Sequence, residues 1–137
     1  FQQFCIIKQM VSDLNYPIQV VPCPIIREEN GLAMSSRNKY LTESEYSIAT
    51  TIFKALKCGK ELLKNGEYKS EKIKNEITRI IKSKPQFKID YISIANRETL
   101  KEIEGELKGD ILVSTAVFLG KTRLIDNFTY FIADLHN

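Results

Sequence analysis

The sequence predicts an α+β fold: two main helices packed on a three-stranded, largely antiparallel sheet, preceded by the last helix and strand of an open α/β sheet. Three observations carry this expectation. Residues 42–64 and 70–84 repeat apolar side chains at helical spacing, whereas residues 89–131 are β-branched and aromatic and are split near their end by a Gly-Lys pair. The first 21 residues read as one amphipathic helix and a short apolar run.

Phe4, Ile7, Val11 and Leu14 fall on one stripe of a helix over residues 1–14, with Lys8, Ser12 and Asp13 off it, as a helix covering a core requires. Asn15-Tyr16-Pro17 breaks that helix, and Ile18-Gln19-Val20-Val21 reads as a short strand running into Pro22 and Pro24. Residues 22–30 read as a hinge, stiffened by the two prolines and solvated at Glu28, Glu29 and Asn30. Thr42 and Glu45 have capping-box spacing, and Ile48, Ile52, Leu56 and Leu63, flanked by Phe53 and Leu62, carry a long helix to about Lys64. Asn65-Gly66 ends it.

A second helix follows Ser70, with Ile73, Ile77, Ile80 and Ile81 on one face and Lys82 and Lys84 near its negative end, until Pro85 stops it. The two helices are expected as an antiparallel pair. Ile89–Ala95 reads as a strand, and residues 96–107 as a turn, a short helical stretch or both. After Gly109-Asp110, Ile111–Leu119 and Thr122–Phe131 flank Gly120-Lys121, a pair suited to a tight hairpin. Arg123 and Asp126, on the second hairpin strand, can face a ligand, but a cross-strand charge pair is their preferred use.

Composition narrows the function classes. A chain of 137 residues, 43% hydrophobic and 27% charged, is long enough for one ordinary core. A formal net charge of +3, with lysines spread along helices as solvated faces, predicts no nucleic-acid partner and is compatible with small anions. Cys5, Cys23 and Cys58 are odd in number and widely spaced, each in an apolar or helical context, which reads as buried free thiols in a reducing, cytoplasmic compartment. The single histidine, His136, leaves a zinc site or a Ser-His-Asp triad without members, so no metal site built from side chains is expected. No run of about 18 apolar residues is present, so no membrane span is expected. The chain opens on Phe1 in an amphipathic turn and is expected to be cut at its front.

The chemistry is expected in Gly31-Leu32-Ala33-Met34-Ser35-Ser36-Arg37-Asn38. Gly31 permits a positive φ or a close backbone approach, the hydroxyls of Ser35 and Ser36 can donate to an oxyanion, and Arg37 offers a planar fork of donors. Together these form a phosphate-binding inventory in a turn that feeds a helix. On its own, Ser-Ser-Arg-Asn reads more readily as a polar surface loop.

Resemblance changes that weighing. The run Arg27-Glu28-Glu29-Asn30-Gly31-Leu32-Ala33-Met34-Ser35-Ser36-Arg37-Asn38-Lys39-Tyr40-Leu41 resembles the signature loop of the pantothenate synthetase (pantoate-beta-alanine ligase) family. Asp90-Tyr91 and Thr122-Arg123-Leu124-Ile125-Asp126-Asn127 are similar to further family segments, and Phe1-Gln2-Gln3 to the end of a Lys-Asp-(Phe/Tyr)-Gln-Gln segment. The Met-Ser-Ser-Arg run looks like a variant of the Lys-Met-Ser-Lys-Ser loop of class I aminoacyl-tRNA synthetase-like nucleotidyltransferases, with Arg37 where those enzymes carry Lys.

The resemblance implies an ATP-dependent, cytoplasmic ligase that condenses pantoate with β-alanine through a pantoyl adenylate, of which this chain is the C-terminal part and nearly inactive alone. It implies that Met34, Ser35, Ser36 and Arg37 bind ATP, with Ser35, Ser36 and Arg37 catalytic. Ile26 would give a backbone contact to adenine, Gln3 would contact pantoate, and Mg²⁺ would bridge the triphosphate. Residues 1–25 would end a Rossmann-like nucleotide-binding domain whose N-terminal part lies upstream, 26–41 would form the hinge and phosphate loop, and 42–137 a lid. Full-length relatives would be homodimers. Two other readings stay open: a different adenylylating nucleotidyltransferase, and a non-catalytic α+β module whose Ser-Ser-Arg loop binds a phosphorylated or acidic partner.

Overall fold

Residues 87–132 pair with one another to form one antiparallel sheet in the order β1-β2-β3, comprising β1 (Phe87–Asn96), β2 (Gly109–Leu119) and β3 (Thr122–Ile132). The computed structural model describes residues 1–133, so His136 lies outside the described residues. β2 is the centre of the sheet, and its Ile111, Val113, Thr115, Val117 and Leu119 are essentially inaccessible to solvent. Leu119 pairs with Thr122 across Gly120-Lys121, and Gly120 takes a φ of +57°, the positive value that a tight Gly-x hairpin needs at its first turn position.

Two helices cover one face of this sheet: α2 (Glu43–Lys64) and α3 (Ser70–Lys82). Thr42 caps α2 as its spacing predicts: Thr42 Oγ1 accepts from Glu45 N at 3.3 Å, and Glu45 Oε2 accepts from Thr42 N at 2.9 Å. Ile52, Leu56 and Leu63 of α2 and Ile73, Ile77 and Ile81 of α3 meet Ile94, Ile111, Val113, Val117 and Leu124 in one core. Where the two helices touch, α2 presents Gly59, and a Cβ there would lie 2.8 Å from Ile77 Cδ1. The small residue sets how closely the pair can pack.

One expectation needs correction. Ile18–Val21 forms no strand: it has no regular structure and Ile18, Gln19 and Val21 are exposed, because β1–β3 satisfy one another and no described segment offers it a ladder. The helix before it, α1 (Gln2–Asp13), forms as predicted, but of its apolar stripe only Val11 is buried, while Leu14 is 56% exposed. Of the readings left open for residues 96–107, the turn is the one that forms, without a helical stretch. The segment is a turn and strap, tied down by isolated bridges of Ala95 with Glu102 and of Lys69 with Glu106.

The sheet carries one irregularity with consequences for the site. Ile89 pairs with Val117 and Tyr91 with Ala116, so Asp90 is an extra residue in β1, a bulge that re-aims its side chain.

Candidate functional site

The Gly31–Asn38 loop is built on a short backbone ladder. Met34 N donates to Ile26 O at 2.9 Å, Arg27 bridges Ala33, and Glu28 N donates to Leu32 O at 2.8 Å. Gly31 closes the turn at a φ of +91°, where a Cβ would lie 2.3 Å from the Phe53 ring. No side chain fits there, which is the close approach its sequence position suggested. Leu32 is buried in the core and anchors the tip of the turn.

One guanidinium, unassigned in the sequence reading, holds this ladder to the sheet. Arg27 Nη1 donates to Asp126 Oδ2 at 2.7 Å and to Gly31 O at 3.1 Å, and its Nη2 donates to Asp126 Oδ1 at 3.0 Å. The Arg27 guanidinium also stacks over Phe53, 4.4 Å from the ring centroid. Asp126 is 4% exposed, so this is a bidentate, largely desolvated pair. Asp126 thus finds its charge partner in the loop ladder rather than across the sheet, whereas the cross-strand charge pair expected of Arg123 forms with a different carboxylate. Arg123 and Asp126 lie three residues apart on one strand and so point to opposite faces: Asp126 goes to the helix side with Leu124, and Arg123 goes to the other. Arg123 instead reaches across β2 to the bulged Asp90, with Nε and Nη2 donating to Asp90 Oδ2 at 3.0 and 2.8 Å.

Beyond the ladder, Ser35 caps a single 3-10 turn, Ser36–Tyr40, its Oγ accepting from Arg37 N at 3.2 Å. A hydroxyl that accepts in this way still has its own proton to donate. Asn38 is buried beneath the turn, where its Nδ2 donates to Ala33 O at 3.1 Å and to Glu28 Oε1 at 3.3 Å. Met34, Ser35, Ser36 and Arg37 are all exposed above this frame. The backbone is fixed, and the groups that carry the expected chemistry face outward.

Three cavities surround these residues. A small one of about 170 Å³ lies under the loop, lined by Met34, Ser35, Arg37, Asn38, Arg123 and Asp126 among others. A wider cleft of about 780 Å³ separates Arg37 and Tyr40 from the hairpin tip at Gly120–Arg123. A third, of about 480 Å³, lies between the start of α1 and the outer sheet face, and brings Gln3 together with Ser93, Ser114, Arg123 and Asn127. Gln3 and Arg37 thus line different cavities, and Arg123 borders all three. Ile26 is 72% exposed and offers its carbonyl to Met34 rather than packing on a layer below. Among the described residues, no group of three His, Cys, Asp or Glu side chains is arranged to hold a metal, and no helix is long and apolar enough to cross a membrane.

Residues 1–129 match the family model described as pantoate-beta-alanine ligase. The chain is 51% identical over 129 residues to a pantothenate synthetase of Clostridium botulinum (strain Loch Maree / Type A3), covering 94% of this chain and 46% of that protein. It is 48% identical over 126 residues to one from Caldicellulosiruptor bescii, covering 92% and 44%. In structure it is similar to pantothenate synthetase from Thermus thermophilus, with a TM-score of 0.85 at 34% identity, over 93% of this chain and 45% of that one. A further similar structure is the pantoate-beta-alanine ligase of Francisella tularensis in complex with beta-gamma ATP and beta-alanine, with a TM-score of 0.55 at 32% identity over 93% and 39%. The chain spans about half the length of the curated relatives it matches.

Proposed function

The chain belongs to the pantoate-beta-alanine ligase family, and from that premise we propose that it is the C-terminal part of a cytoplasmic ligase that uses ATP to join pantoate to β-alanine. The observation that carries this reading is the exposed Met34–Arg37 segment, held rigidly from below by Arg27, Asp126 and Asn38. A frame of this kind keeps donors pointed where phosphate charge develops.

The pantoate carboxylate attacks the α-phosphorus of ATP, and the bond to the bridging oxygen breaks to release pyrophosphate. The β-alanine amine then attacks the acyl carbon of the adenylate and loses a proton, and AMP departs. Most of the chemistry is positioning and charge stabilisation. In this scheme Arg37 and the hydroxyls of Ser35 and Ser36 bind the phosphate oxygens, Met34 packs beside them, the Ile26 backbone contacts adenine and Gln3 contacts pantoate. The one carboxylate in the Arg37 cleft, Glu45, is engaged by the α2 cap. Mg²⁺ would therefore be held by phosphates and water rather than by a carboxylate cage, and when bound it offsets triphosphate charge.

In the same reading residues 1–25 complete a Rossmann-like domain, 26–41 carry the hinge and phosphate loop, and 42–137 act as a lid that brings the loop onto ATP. Because Arg27–Asn38 is tied to β3 and α2, the loop travels with the lid, and the pivot falls before Arg27, in the exposed stretch 14–26. Homodimer formation belongs to the full-length form.

The test is pantoate-dependent AMP formation from Mg-ATP and β-alanine, measured on this chain and on this chain joined to the N-terminal half of the Clostridium botulinum relative. Activity in the joined protein and almost none in the chain alone is the expected result. Two folded proteins with no activity would leave a phosphate-binding module as the reading.

A further inference from the structure

Arg37 is not the only cation on the 780 Å³ cleft. Lys121 and Arg123 line its opposite wall, on the hairpin tip, and Glu45 is the one acidic residue among its lining side chains. Among the described residues neither Arg37 nor Lys121 enters an ion pair. Arg123 is half-exposed, and Asp90 takes its Nε and Nη2, so Nη1 remains for a second acceptor. The carboxylate sits on a bulge in β1, a device that holds the guanidinium in one orientation instead of leaving it to sweep through solvent. Arg123 also borders the cavity under the loop and the cleft that contains Gln3. Arg123 alone borders all three cavities.

We propose that Arg123 is a second phosphate-binding guanidinium of this site, clamping the pyrophosphate end of a nucleoside triphosphate against Arg37 across the cleft, with Lys121 adding charge. This rests on the loop being the phosphate site, and it assigns to the hairpin tip a role that the loop alone does not supply. Two guanidiniums on opposite walls bind a polyanion whose charge is spread over several oxygens, and they stabilise it as a leaving group.

The test is calorimetric titration of the 137-residue chain with inorganic pyrophosphate at low ionic strength, where such contacts are least screened. The variants are Arg37→Gln, Arg123→Gln and Asp90→Asn, each checked for its fold by circular dichroism and thermal melting. Arg37→Gln and Arg123→Gln are each expected to weaken binding about tenfold or more, the scale of one charge-assisted hydrogen-bonded contact. Asp90→Asn is expected to keep or tighten binding, since an amide oxygen still accepts from the guanidinium and holds its orientation while a negative charge beside the pyrophosphate is removed. If Asp90→Asn weakens binding in step with Arg123→Gln, the pair is structural and the proposal is overturned. Loss with Arg37→Gln alone overturns the role of Arg123 while leaving the loop as the phosphate site. Loss with Arg123→Gln alone, or a wild-type chain that does not bind pyrophosphate, overturns both.

Discussion

At the scale of single residues, the site divides into groups that support and groups that act. Arg37 is exposed and its side chain bonds to nothing described, so truncating it removes no packing. In the chain joined to its N-terminal half, Arg37→Ala should slow adenylate formation by about 10²–10³ with melting unchanged, the scale for one preorganised donor. An unaltered rate in a pyrophosphate-release assay would refute that assignment. Arg27 is the opposite case, because its loss leaves Asp126 buried and unpaired. Arg27→Ala should cost about 3 kcal/mol in a urea titration; a cost under about 1 kcal/mol would mean that the pair does not hold the loop. The cysteines differ as well, and the burial expected of them is not found: Cys5 and Cys58 are partly covered and Cys23 is exposed. Burial, then the negative charge of Glu76 and the hydrogen bond that Cys58 Sγ donates to it, push the Cys58 thiol above its ordinary pKa, whereas Cys23 is exposed. At pH 8 a disulfide reagent should modify Cys23 well before Cys58, with mass mapping of the labelled peptides as the readout.

Between elements, contacts are decided by small residues and by a strap. Gly59 lets α3 approach α2, and the atom in the way of any larger residue is Ile77 Cδ1. Gly59→Ala should destabilise the chain by about 1 kcal/mol or more despite the better helix propensity of Ala. The same substitution in an Ile77→Val background, which lacks that atom, should cost measurably less, and equal costs would show that the crossing does not depend on this contact. The 97–107 strap is pinned by Glu102, which bonds to Lys74 of α3, to the Ser93 hydroxyl, and to Ile94 N of β1 at 3.2 Å. Burial opposes the charge on Glu102, but the bonds from Lys74, Ser93 and Ile94 outweigh it, and its pKa falls below the usual carboxylate value. A carboxyl depressed by folding stabilises the fold above the unfolded value of about 4.3, and that contribution is lost as pH drops through the lowered folded value. The melting temperatures of wild type and Glu102→Gln should therefore differ at pH 7 and converge as the pH falls below the lowered folded value. A gap that persists in acid would assign the effect to packing.

On the scale of the whole molecule, the chain is a well-ordered α+β layer pair carrying a loosely supported leader. The core spans α2, α3 and the sheet, while Ile18, Val21 and Ile26 in the leader are 61%, 62% and 72% exposed. Hydrogen exchange should be slowest in β2, paired on both edges, and fastest over residues 14–26. Comparable protection in both would remove the basis for a pivot ahead of Arg27.

The sequence by itself determined the elements whose signals are local. The capping box at Thr42, the α2 and α3 stripes and the Gly120 hairpin all follow from neighbours in the chain, and all are present in the structure. Ala49, Ala55 and Gly59 were not singled out, because a small residue advertises no periodicity and gains meaning only when another element lies against it. The pairings Arg27–Asp126 and Arg123–Asp90 were decided by tertiary structure alone. They join residues 99 and 33 positions apart, and no local rule ranks one carboxylate over another at such separations. Only the pleat of β3 and the bulge of β1 choose between them, by turning Asp126 into the core and Asp90 toward the open face.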